Sequence, residues 1–384
     1  MKMYKKERGA VSLFIVIFAA LLITTITVSF VQLMLNDQKQ ATANDLSQSA
    51  YDSAKAGVED AKRAILRYQD ACSSGDSAAC ATSYANLNSP ECNKGLTDIG
   101  ITAVSGEVKV QQNAGDNALD QAYTCVKIKL ATKDYVGTLD VDSSKIIPLK
   151  SDAPFNTVKL EWYSSVNLPS PSSSVVSLLP IATPLLNKSN WPKNRPPVMR
   201  SQLMQFGSDF SLSDFDNTTG TPTQSDANTL FLYPSSGGLS SMPFIGNDTR
   251  KTPVGSPKPV KCLASLGSGG YACSITLTLP DPINAGSRTA YMRLSALYNA
   301  TNYKITLSNS ALSVNFDGVQ PEVDSTGRAN DLFRRVSSRV ESTDINFAYP
   351  SASIDISGNF CKDFLVTDNA ADYTNYAPAV PCNP

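Results

Sequence analysis

The sequence predicts an α+β protein. A long N-terminal helix, transmembrane in its first half and amphipathic in its second, packs on an antiparallel β-sheet, and a β-rich, disulfide-containing head follows. Three observations predict this. No residue from Ala10 to Leu35 is charged. The stretch after it, to Tyr68, carries one apolar stripe. Beyond residue 70 come short runs that alternate apolar and polar residues, among which the cysteines are spread.

As a helix, residues 10–35 would run about 39 Å, enough to cross a hydrocarbon core of about 30 Å with some tilt. A cleavable signal has a shorter apolar region, about 7–15 residues, closed by a small-x-small site. The best such site, Ala41-Thr42-Ala43, lies past the apolar run. Lys2, Lys5, Lys6 and Arg8 flank the run on its N-terminal side, opposed by Glu7 alone. This asymmetry puts the N-terminus in the cytoplasm and the C-terminal head outside, as a single-pass membrane protein.

From Asn36 to Tyr68 there is no Pro and one Gly, Gly57. Leu46, Ala50, Ala54, Val58, Ala61, Ile65 and Tyr68 recur every three or four residues, so one face of a continuing helix is apolar to about residue 70. Glu59 and Arg63 have the spacing of a charge pair. The stripe is rich in Ala and does not keep a strict heptad, which favours docking on a sheet over a coiled coil. A juxtamembrane stalk is the alternative.

The leader Glu7-Arg8-Gly9-Ala10 ends in Gly at the start of the apolar helix. It resembles the leader of type IV pilins and pseudopilins. The resemblance implies that a prepilin peptidase cuts between Gly9 and Ala10 and leaves the apolar helix on the mature chain, first as anchor and later as fibre core. Phe14, Leu22, Phe30 and Leu35 would line that helix. Phe14 stands at the fifth mature position, where major pilins carry Glu, so the resemblance is to minor pilins and pseudopilins of the PilX-type and tip-located kinds. It implies other pilin subunits, the inner-membrane assembly machinery and prepilin peptidase as partners, and a tip or initiating position with adhesion to a host or cell-surface ligand.

The net charge of −1 gives no nucleic-acid footprint. The eight cysteines are Cys72, Cys80, Cys92, Cys125, Cys262, Cys273, Cys361 and Cys382, all on the outer side of the anchor. With no CxxC and no His, metal-finger spacings are absent and disulfides are expected. Connectivity is not fixed by sequence. Local closure favours Cys262–Cys273, which flank LASLGSGGYA with its hairpin-like Gly-Ser-Gly-Gly centre, and then Cys361–Cys382, Cys72–Cys80 and Cys92–Cys125.

Residues 71–119 are polar and read as irregular. Strands are expected at 122–130, 135–141, 145–149 and 156–164. In the first, Val126, Ile128 and Leu130 share one face and Lys127 and Lys129 the other. In the last, Val158, Leu160 and Trp162 oppose Lys159 and Glu161. A Pro- and Ser-rich linker or excursion follows. Further strands are expected at 198–206, 229–233, 260–265, 271–279, 288–297, 303–307, 332–341, 351–356 and 360–366, as a β-sandwich or a large extended sheet. The boundaries this gives are a leader at 1–9, a transmembrane helix at 10–35, a pilin-like helix and sheet at 36–165, a linker at 166–197 and a head at 198–384.

Without His, no Ser-His-Asp or Cys-His machinery can be built. GxSxG, P-loop and dinucleotide motifs are missing. No catalytic residue, metal or cofactor is expected. Asp214, Asp216 and Asp324 hint at Ca²⁺ but lack the EF-hand spacing, so turn Asp residues are expected there. Asn187, Asn217, Asn247 and Asn299 open N-glycosylation sequons. Arg334 and Arg335 read as cross-strand partners, and Tyr373 and Tyr376 as exposed contacts in the tail. The expected function is therefore non-enzymatic, a minor pilin or pseudopilin-like subunit of a type IV filament. The alternative is a single-pass surface protein or adhesin unrelated to pili, with a secreted or anchored hydrolase using paired carboxylates a third.

Overall fold

The computed structural model describes residues 9–110, 120–170, 174–181, 187–206, 227–249, 256–267, 269–284, 289–310 and 312–341. Two α-helices, α1 (Gly9–Ser73) and α2 (Ser77–Leu87), precede the strands. These are β1 (Val108–Lys109), β2 (Ala122–Thr132), β3 (Asp134–Leu139), β4 (Ser144–Pro148), β5 (Phe155–Ser164), β6 (Val198–Phe206), β7 (Ala227–Ser235), β8 (Ser241–Pro243), β9 (Lys258–Lys261), β10 (Tyr271–Ile283), β11 (Thr289–Leu297), β12 (Thr301–Asn309), β13 (Leu312–Val314), β14 (Phe316–Ala329) and β15 (Leu332–Arg339). The protein is α+β, with mostly antiparallel pairing.

The chain divides into two units, residues 1–129 with 322–340, and 130–321 with the remainder. In the first, α1 is one unbroken helix of 65 residues, about 100 Å long. It ends where Ser74 N still donates to Asp70 O and Gly75 turns left-handed at φ 80°. Asp76 then caps α2, its carboxylate accepting from Ala78 N and Ala79 N. The Cys72–Cys80 disulfide ties the two helix ends together. The sheet of this unit has the order β1-β2-β14-β15.

The second unit is a β-sandwich. One sheet runs β13-β12-β5-β10-β8, with β3 also on β12, and the other runs β4-β11-β6-β7-β9. A single core takes Val158, Leu160 and Trp162 from β5, Ile275 and Leu277 from β10, and Ile305 and Leu307 from β12. From the second sheet come Ile147, Met199, Leu203, Leu230, Leu232, Met292 and Leu294. The period-2 alternation in β5 therefore points where the sequence predicts.

The compact units differ from the boundaries read from composition. Of the strands expected beside the helix, β2 alone lies in its sheet; β3 and β5 join β12, and β4 joins β11. The two strands that complete the helix's sheet come from 316–339. A composition shift marks a loop, and sheet partners far apart in sequence close over it. The Pro-rich stretch is such an excursion. Leu179 and Trp191 pack with Val198 and Tyr233, residues next in line to Met199 and Leu232 and so on the opposite face of the second sheet. Two further expectations are corrected. Residues 77–87 are helical and not irregular. Asp324 lies within β14 and pairs with Arg335, so it is a strand residue and not a turn residue. The strands expected at 351–356 and 360–366, Cys361, Cys382, Tyr373, Tyr376, Asp214, Asp216 and Asn217 lie outside the described residues.

Candidate functional site: the N-terminal helix and its docking sheet

The leader residues Lys2–Arg8 lie outside the described residues; Gly9 is the first residue of α1 and Ala10 the second. From Leu13 to Asp45 every residue of the helix is exposed, on all sides. Phe14 is 74% exposed, Leu22 47%, Phe30 70% and Leu35 51%. By length and composition this helix can cross a membrane. Its hydroxyls do not need water. Thr24 Oγ1 donates to Leu21 O at 2.9 Å, Thr25 Oγ1 to Leu22 O at 2.9 Å, Thr27 Oγ1 to Ile23 O at 2.8 Å and Ser29 Oγ to Thr25 O at 2.8 Å. Polar side chains that bond back to the helix carry little cost in hydrocarbon.

Burial begins in the turn after Leu46. Ala50, Ser53, Ala54, Gly57, Val58, Ala61, Ala64 and Ile65 are buried along one face, which includes the Ala-rich stripe of the sequence. On β14 the residues Val323, Ser325, Gly327 and Ala329 are buried in alternation, and on β2 Tyr123, Val126 and Ile128. Small residues meet across this contact, so backbones approach closely. A Cβ on Gly327 would lie 2.8 Å from Ala54 Cα and closer still to Ala54 N and Ala50 O. A Cβ on Gly57 would lie 2.8 Å from Val126 Cγ2 and closer to Ser325 Oγ. Polar bonds fix the register. Tyr123 OH donates to Asp60 Oδ2 at 2.8 Å, and Arg334 Nε to Ser47 Oγ at 2.8 Å. Burial and the Asp60 carboxylate together push the Tyr123 phenol well above its ordinary pKa. The expected Glu59–Arg63 pair is replaced by Glu59–Lys62 and Asp60–Arg63, each three apart, because Asp60 faces both Arg63 and Tyr123.

The other face of β14 carries a clasp that the sequence did not reveal. Arg328 donates from Nε to Glu107 Oε1 at 2.6 Å, from Nη2 to Glu107 Oε2 at 2.6 Å and from Nη1 to Asp120 Oδ2 at 2.8 Å. Such a forked pair is stronger than a single contact. Lys109 pairs with Asp120 as well. Both carboxyls are held below their ordinary values, Glu107 chiefly by the Arg328 hydrogen bonds and Asp120 chiefly by Lys109 and then Arg328. A depressed acid stabilises the fold above its unfolded pKa, and that contribution is lost as pH falls through the folded value. Arg328→Met is therefore expected to melt at a lower temperature at neutral pH, and its melting temperature should fall less steeply than wild type below pH 4.5, the ordinary Glu value. An unchanged acid profile would contradict the clasp.

Three disulfides close among the described residues, Cys72–Cys80, Cys92–Cys125 and Cys262–Cys273. They are the pairs that local closure suggests. Cys92–Cys125 joins the segment after α2 to β2, beside Asn93, whose Oδ1 accepts from Val126 N at 2.9 Å. Gly57, Ser325, Gly327, Glu107, Asp120 and Arg328 are the residues of this site that sequence reasoning missed. Gly57 was the one with a visible signal, a lone Gly inside a helical pattern. Among the described residues no three His, Cys, Asp or Glu side chains gather as a metal site. The chain matches no protein-family model, no curated protein and no solved structure.

Proposed function

We propose that the chain is a non-enzymatic minor subunit of a type IV filament. It is made as a precursor cut between Gly9 and Ala10, and held in the membrane by residues 10–35 until those residues enter the packed core of the fibre. The division of labour within α1 carries this reading. One unbroken helix is apolar and bare on all sides in its first half, while its second half buries a stripe of small residues against a sheet. A helix apolar all round needs a partner on every side, lipid at first and neighbouring helices afterwards. Lys2–Arg8 give the orientation and leave with the leader. Phe14 in place of Glu, and the bulk of a disulfide-bonded β-sandwich, favour the filament tip and a role in initiation or adhesion to a cell surface.

The test is location. Antibody against the β-sandwich, used on filaments sheared from cells, is expected to label fibre ends and to detect the chain in the sheared fraction. Even labelling along the shaft would refute the tip position. Retention of the whole pool in the cell envelope of piliated cells would favour the single-pass surface protein instead.

A further inference from the structure

The excursion over the second sheet of the sandwich holds a tight turn, Trp191 to Arg195, that is fixed from several sides. Asn299 Nδ2 donates to Pro192 O at 2.9 Å and to Arg195 O at 2.8 Å. Tyr163 OH donates to Lys193 O at 3.1 Å, Ser177 N to Asn194 O at 3.0 Å and Asn194 Nδ2 to Val175 O at 3.3 Å. The ring of Tyr298 lies 4.8 Å from that of Trp191, and the Arg195 guanidinium lies 5.0 Å from the centre of the Trp191 ring. Two of the residues that brace the turn hold left-handed backbone, Tyr163 at φ 67° and Tyr298 at φ 82°. For aromatic residues that conformation is strained, and it persists where surrounding contacts over-determine it.

All this rigidity presents donors that no described residue accepts. Trp191 is 6% exposed and Arg195 7%. Arg195 Nη2 donates to Ser177 Oγ at 2.9 Å, but Arg195 Nε, Arg195 Nη1 and Trp191 Nε1 are buried without a hydrogen-bond partner among the described residues. Burial alone acts on the Arg195 guanidinium, with no acid among the described residues offsetting it. A buried cation with unmet donors is costly unless an acceptor with negative charge completes it. We propose that the Trp191–Arg195 turn is a binding site for a carboxylate. A carboxylate offers only acceptors, about four lone-pair positions, and matches the planar guanidinium. The burial of both side chains limits the ligand to a small acid or the acidic tip of a larger one. The site lies in the β-sandwich, and it stands or falls independently of any role in a filament.

The chain has two Trp, so its indole N–H signals give a direct test in the full-length protein in detergent. Trp162 Nε1 already donates to Pro197 O at 3.3 Å and serves as the internal reference. The probes are acetate, D-glucuronate and N-acetylaspartate amide, each matched in ionic strength with sodium chloride. The Trp191 indole proton is expected to move downfield and saturate, with half-saturation of about 1 mM or tighter for the best probe, while Trp162 stays. Preference for glucuronate would mark a sugar acid as the source, and preference for the aspartate derivative an acidic protein side chain. Arg195→Lys keeps the charge but loses the fork, and should weaken binding about tenfold with the Trp162 signal in place. Arg195→Gln should abolish it. A Trp191 signal that no carboxylate moves, or one that chloride moves equally, would overturn the proposal.

Discussion

Gly327→Ala is expected to be among the most damaging single substitutions in the chain. The added methyl would meet the α1 backbone at Ala50 and Ala54, and backbone cannot rotate away as a side chain can. The helix must lift from β14 or the strand must shift, and either exposes the packed face of Val323, Ser325 and Ala329. A cost of about 3 kcal/mol or more is expected, at the upper end for overpacking. Gly267→Ala is the matched control, since nothing lies within 4 Å of its Cβ position. Gly57→Ala should fall between them, because the clash is with the ends of Val126 and Ser325 side chains and a helical Ala recovers about 1 kcal/mol over Gly. Chemical denaturation followed by circular dichroism reads all three. Equal midpoints for Gly327→Ala and the control would mean that the helix does not lie on β14.

The second large effect belongs to the Cys92–Cys125 disulfide. Its separation of 33 residues is the longest of the three, against 8 for Cys72–Cys80 and 11 for Cys262–Cys273. In the loop-entropy picture it restrains the unfolded chain most, by about 3.7 kcal/mol, against about 2.5 and 2.8 for the others. The Cys92→Ser, Cys125→Ser double variant should therefore lose more stability than either of the other pairwise replacements. It also frees the chain next to Asn93, whose side chain holds Val126 N of the docking sheet. Measured losses in the opposite order would show that native contacts, and not loop length, set these bonds' worth.

The parts of the fold that were legible are those with local causes. The uncharged run and the Ala stripe place α1, because helix period and apolar face are set by neighbouring residues. Val126, Ile128 and Leu130 alternate as a half-buried strand does, and β2 is one. Cysteines 8 and 11 residues apart close on their own loops. β14 was not legible. Its sequence FDGVQPEVDSTGRA holds two Gly, a Pro and three acidic residues, and its β character comes from partners elsewhere. Thr124 Oγ1 donates to Thr326 O across 202 residues. Asp324, expected in a turn, pairs with Arg335, and Arg328 pairs with Glu107 and Asp120. α2 had one cue, Asp76 as N-cap of SAACATSYANL, which a short Ala-rich segment among Ser and Asn obscured. The Trp191–Arg195 turn was hidden in a Pro- and Ser-rich stretch whose composition says loop, and whose buried donors come into view with the neighbours that fold places around them.

In the proposed function the mature α1 starts at Ala10 and serves as a packing element as well as an anchor. The N-terminal sequence of the protein taken from cell envelopes tests it most directly. A start at Ala10, with the leader through Gly9 removed, is the predicted result. A start at Met1 would leave an ordinary membrane anchor, and a start near Asn44 would mean that the apolar helix is discarded; either would end the filament reading.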